Sequence, residues 1–146
     1  MRFLSIIIVS LWCLAGCKKN DDFSARVNAA FNKPVTLRYQ QGAALPNQSA
    51  PELTITVDDV DDTRCPTHLS CAVPGLVQTA LSIRDQNGAL QPVTLRLIGL
   101  SSEVDSAAVQ ANGRRYTIVF QDVTPYPGRK AVPKQDKRVV LLVKRR

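Results

Sequence analysis

The chain is poor in the residues that most often carry chemistry. Among 146 residues there are one histidine (His68), one tryptophan (Trp12) and seven glycines, and aromatic residues make up 5%. A single histidine leaves a hydrolytic triad only one candidate base, and Ser70 beside it lacks the glycines of a nucleophile elbow. No glycine-rich phosphate loop or dinucleotide fingerprint occurs. Four cysteines are too few for a disulfide-framework miniprotein. The most apolar run, residues 3 to 15, falls short of the roughly 20 residues a spanning helix needs. Beyond it no ten-residue segment carries the apolar spacing of an amphipathic helix. The nearest, "SSEVDSAAVQA" at residues 101–111, has room for one short turn or helix. Together these absences argue against an enzyme and predict no cofactor.

What is present is β patterning. A hydrophobic fraction of 45% excludes wholesale disorder, and the length supports one domain. "PVTLRY" places Val35, Leu37 and Tyr39 on one face, and "LTITV" does the same with Leu53, Ile55 and Val57. "VQTALSIR" alternates Val77, Thr79, Leu81 and Ile83 against polar partners, and "DQNG" then predicts a hairpin turn. Val93, Leu95 and Leu97 continue the period after Pro92, which suits an edge strand or a first position. Asn112-Gly113 predicts another turn before Tyr116, Ile118 and Phe120. "RVVLLVKR" is apolar on both faces, as a central strand would be. The expected fold is all-β, an antiparallel β-sandwich or small barrel of about six to seven strands over residues 34–146. "PYPG" (Pro125 to Gly128) reads as a rigid extended loop with an aromatic tip.

The N-terminus reads as export machinery. Arg2 supplies a positive charge, and "FLSIIIVSLWCLA" forms an apolar region of 13 residues broken only by two serines. It ends at Leu14-Ala15-Gly16-Cys17, which resembles the lipobox of bacterial lipoproteins. The resemblance implies cleavage before Cys17, a thioether-linked diacylglycerol on Cys17, and removal of Cys13 and Trp12 with residues 1–16. Only a thiolate is nucleophilic enough to take the lipid. Lys18 follows rather than Asp, which in this family favours the outer over the inner membrane. "KKNDD" is similar to the charged export tags of some surface lipoproteins. Residues 17–33 are polar and weakly patterned and are expected to form a flexible tether. The membrane, through this lipid, is then the first partner, and an envelope location excludes nucleic acid.

With Cys13 removed and Cys17 lipidated, Cys65 and Cys71 remain. In an oxidising compartment two cysteines six apart are expected to form a disulfide. The alternative makes Cys65, His68 and Cys71 ligands for zinc or copper, although a fourth ligand would be needed. The segment also resembles a pattern in small bacterial envelope proteins, Arg-Cys-Pro, four residues, Cys-x-Trp-x-Gly. Arg64, Cys65, Pro66, Cys71 and Gly75 match, whereas Val73 stands at the tryptophan position. That resemblance speaks to fold and compartment and supplies no activity.

Two charged groups complete the reading. Asp58, Asp59, Asp61 and Asp62 cluster before Cys65, and with His68 they form a candidate cation site, though without EF-hand spacing. The bland reading is a solvated loop in which Arg64 partners a carboxylate. Alternation would turn Asp59 inward, so the strand is expected to end or bulge there. From Asn112 onward ten Lys or Arg face two Asp, a net of +8, against −2 over residues 17–111. Arg114, Arg115, Arg129, Lys130 and Arg138 are therefore candidate anion-binding residues, for lipid phosphate, acidic glycan or an envelope protein. The expectation is a lipid-anchored, non-catalytic binding or structural module. Its alternative is a metal or anion binder using the Asp58–Cys71 loop or the basic C-terminal residues.

Overall fold

The structure is a computed structural model that describes residues 26–99, 101 and 103–146. Residues 1–16, expected to be a signal segment, Cys17 and the first part of the expected tether lie outside the described residues. The described residues form nine strands: β1 (Val27–Asn28), β2 (Pro34–Arg38), β3 (Gly42–Leu45), β4 (Leu53–Asp62), β5 (Leu76–Asp85), β6 (Leu90–Ile98), β7 (Asp105–Ala111), β8 (Arg114–Thr124) and β9 (Arg138–Arg145). Among the described residues the only helical element is a single 3-10 turn, Lys134–Asp136. No helix among them is long and apolar enough to cross a membrane.

The strands form two sheets, ordered β1-β3-β4-β5-β6 and β2-β9-β8-β7, in an open β-sandwich rather than a barrel. All pairings are antiparallel except the parallel pair of β1 with β3. Alternate side chains from the two inner faces build one core, including Leu37, Ile55, Leu81, Ile83, Leu95, Ile118, Phe120 and Leu141. β9 lies between β2 and β8, and its Val139, Leu141 and Val143 are fully buried while Val140 and Leu142 are half-buried. Its apolar run on both faces therefore has the expected cause.

Three of the nine strands lie outside the six segments read as strands, and each hides for a physical reason. β3 is Gly-Ala-Ala-Leu, buried at all four positions, so it shows no polar alternation. β7 occupies the segment expected to be a turn or helix. Its alternation is real, but it is carried by Ala107, Val109 and Ala111 on an edge strand, where small side chains suffice. β1 is two residues long and lies within the range read as tether. Ala29 beside it donates its N–H to Ala44 O (3.0 Å) and is buried.

The acid run is strand rather than loop, because β4 continues to Asp62. A bulge between Val57 and Asp59 lets Val57 and Val60 both face the core although three residues apart. β8 has a matching irregularity between Phe120 and Asp122, with Phe120 and Val123 both buried. The sandwich thus has a hairpin end, where Leu53, Asp85 and Arg114 lie, and an opposite disulfide end. The second is reached by Asp62, Leu76, Ile98, Thr124 and Arg138.

Candidate functional site at the disulfide end

Cys65 and Cys71 are joined, with an S–S distance of 2.06 Å and Cα atoms 6.0 Å apart. The bond removes both thiolates, so the alternative of a Cys65–His68–Cys71 metal site does not hold. His68 is an exposed loop residue. The loop returns tightly on itself: Cys65 N–H donates to Pro74 O (2.9 Å), and Gly99 N–H donates to Gly75 O (2.9 Å). Gly75 has φ +69°, and a Cβ there would stand 2.1 Å from Thr63 O, so only glycine fits. Val73, where the resembling pattern carries tryptophan, is 69% exposed, and nearby Leu69 is 57% exposed.

Below the loop lies a buried charge network. The Asp62 side chain is 4% exposed and takes Arg64 Nε on Oδ1 and Nη2 on Oδ2, each at 2.8 Å. Lys137 Nζ reaches Oδ2 at 2.5 Å and also donates to Pro125 O (3.0 Å). Arg64 Nη2 donates to Val123 O (2.7 Å), Nη1 stands 3.5 Å from Asp122 Oδ1, and the guanidinium covers the Tyr126 ring at 4.3 Å. Burial acts to raise the Asp62 carboxyl, but hydrogen bonds and charge from Arg64 and Lys137 outweigh it and hold it below the ordinary aspartate range. Burial likewise opposes the Arg64 charge, and Asp62 more than restores it. The expectation that Arg64 partners a carboxylate is met; the expectation of a solvated loop is not.

The candidate cation ligands diverge. Asp58 is exposed and accepts a hydrogen bond from Ser82 Oγ (2.5 Å). Asp59 pairs with Lys134 (2.7 Å), whose hydrogen bond holds the carboxyl low against a small opposing burial effect. Asp61 is exposed, and Asp62 is spent on the network. Among the described residues no three or more His, Cys, Asp or Glu stand together to hold a metal ion. Strand alternation, which sends neighbouring side chains to opposite faces, is the reason.

The basic set divides as well. Arg114 and Arg115 sit at the hairpin end, where Arg114 and Arg145 approach Glu52 at 3.5 and 2.6 Å and Tyr116 O–H donates to Glu52 Oε2 (3.1 Å). Arg129, Lys130 and Arg138 are at the disulfide end. Arg129 and Lys130 are exposed and line a cleft of about 410 Å³ between the β8–β9 loop and the disulfide loop. Pro66 and His68 form the facing wall, tied across by Thr67 N–H donating to Pro127 O (3.1 Å). Nothing in the sequence joins Lys137 and Tyr126 to Arg64 as parts of one site. One is among ten late basic residues and the other reads as a loop tip, so only their placement reveals them.

No protein-family model matches the chain, and no curated protein and no solved structure matches it either.

Proposed function

We propose that the chain is a lipid-anchored lipoprotein of the bacterial cell envelope, held through Cys17, with its β-sandwich serving as a non-catalytic binding or structural module. The observation that carries this reading is Leu14-Ala15-Gly16-Cys17 at the close of a 13-residue apolar segment. The Cys65–Cys71 disulfide supports it, because such bonds persist in oxidising compartments. Lys18 favours the outer membrane, on its periplasmic or external face. Two acyl chains bury many methylenes at about 0.8 kcal/mol each, so anchoring needs no spanning helix. The partner is an envelope protein, a glycan or a lipid phosphate.

A second reading, an anion-binding protein, is favoured by Arg129 and Lys130 at the mouth of the cleft. The first reading is tested by intact mass of the membrane-extracted protein and by a Cys17→Ser variant. The expected product begins at Cys17, carries acyl chains and follows the membrane fraction, and Cys17→Ser does none of these. An unacylated mature chain, or cleavage elsewhere, sinks the reading.

A further inference from the structure

We infer that the disulfide end is a membrane-contacting tip, docking on a bilayer with phosphate-bearing headgroups while the N-terminal lipid anchors the same chain. This deepens the lipid-anchor reading and rests on it.

Four of the five large apolar side chains exposed among the described residues are Leu69, Val73, Ile98 and Val104, and all belong to this end. Leu69 and Val73 project from the disulfide loop. Ile98 pairs in register with Leu76, just past that loop, and Val104 lies on the same β6–β7 connection as Gly99. The loop is braced against collapse. Its disulfide closes it, Gly75 turns it, and its backbone is bonded to Pro127 O and to the strand ends. Aliphatic side chains held out on a rigid loop, with Arg129 and Lys130 beside them, suit the boundary between headgroups and acyl chains.

Chain direction and length let the proposed anchor bring this end to the bilayer, whose phosphates complement Arg129 and Lys130. β1 runs parallel to β3, and Gly42 to Leu45 of β3 runs from Thr56 to Leu53 of β4, toward the hairpin end. The chain therefore reaches Val27 from the side of the disulfide end. Nine residue steps separate Cys17 from Arg26, which span at most about 30 Å. Arg26 is level with Thr56, and the six steps of β4 from Thr56 to Asp62 cover about 20 Å. A lipid on Cys17 thus has the disulfide end within its reach, as it has the hairpin end, to which β1 lies nearer in register.

The test uses the full-length, lipidated protein reconstituted in phosphatidylcholine–phosphatidylglycerol vesicles containing brominated acyl chains. Trp12 lies in the segment removed on processing, so the unsubstituted protein is the blank. Val73→Trp, and independently Leu69→Trp, are expected to lose most of their emission to the brominated lipid. Leu90→Trp, on an exposed position at the hairpin end, is expected to keep it. Adding Arg129→Glu and Lys130→Glu to Val73→Trp is expected to restore emission. Unquenched probes at 69 and 73 on protein that still floats with the vesicles overturn the tip while leaving the anchor intact, and would direct the loop to a protein partner. Equal quenching at 73 and 90 overturns it too. A mature protein without acyl mass overturns both readings.

Discussion

Both ends of the sandwich gather cations around one carboxylate, yet the two arrangements differ in kind. Glu52 at the hairpin end is 19% exposed and receives a buried tyrosine hydroxyl and two arginines that are themselves about half in water. Asp62 at the disulfide end is 4% exposed, and Arg64 and Lys137 are nearly as deep. Counting ion pairs would rate the two alike. Burial separates them, because pairs bathed in water contribute about 0–1 kcal/mol whereas stranding a buried cation costs several.

The largest expected effect follows from that contrast. Asp62→Ala strands two buried cations and is expected to cost about 3–5 kcal/mol in urea denaturation. Acid probes the same group. The folded Asp62 titrates below its unfolded value, so its contribution is complete above about pH 4 and fades as pH falls through the lower folded value. The gap between wild type and Asp62→Ala should therefore narrow in strong acid; a gap that widens there would contradict the assignment.

Glycine gives the next contrast. Gly75 and Gly113 share φ +69°, but a Cβ at Gly75 meets Thr63 O at 2.1 Å and one at Gly113 meets nothing within 4 Å. Gly75→Ala should cost about 3 kcal/mol and Gly113→Ala about 1. Equal losses would mean that conformation alone decides. Replacing both cysteines with serine opens a loop of seven residues and is expected to cost about 2 kcal/mol by the chain-entropy argument. Hydrogen exchange should place the loosening at the disulfide end and leave the Glu52 end protected. The smallest effect is Glu52→Gln, about 1 kcal/mol or less and shrinking further in salt. A salt-insensitive loss as large as that of Asp62→Ala would break the comparison.

Most of the fold was legible wherever bulky side chains alternate. Leu53/Ile55/Val57, Val77/Leu81/Ile83 and Tyr116/Ile118/Phe120 all face inward as expected. β3 and β7 escaped because Gly, Ala and Ser carry too little apolar area to mark a period. Parity at Asp59 did signal the bulge, since an inward carboxylate there would conflict with the pattern set by Val57. The site was legible only locally. That Arg64 partners some carboxylate of the acid run is legible from proximity, although not which one, but Lys137 is 75 residues away from Asp62 and joins it only through tertiary folding. The acid run looked like one cluster because a string of letters does not display alternation between faces. The basic set looked like one surface for a similar reason: the length of β8 separates Arg114 at its start from Arg129 in the loop that follows it.

The place of β9 in its sheet has a consequence for the order of events during folding. β9 is the ninth of the nine described strands and lies between β2 and β8, pairing Pro34 with Leu142 across more than a hundred residues. Until Arg138–Arg145 are available, the first sheet can assemble through local hairpins while the second lacks its middle. Closure then waits on a contact of long sequence separation, which slows the final step. A nascent chain would stay unclosed until β9 arrived, and a loss confined to those eight residues would remove the centre of a sheet rather than trim its fringe.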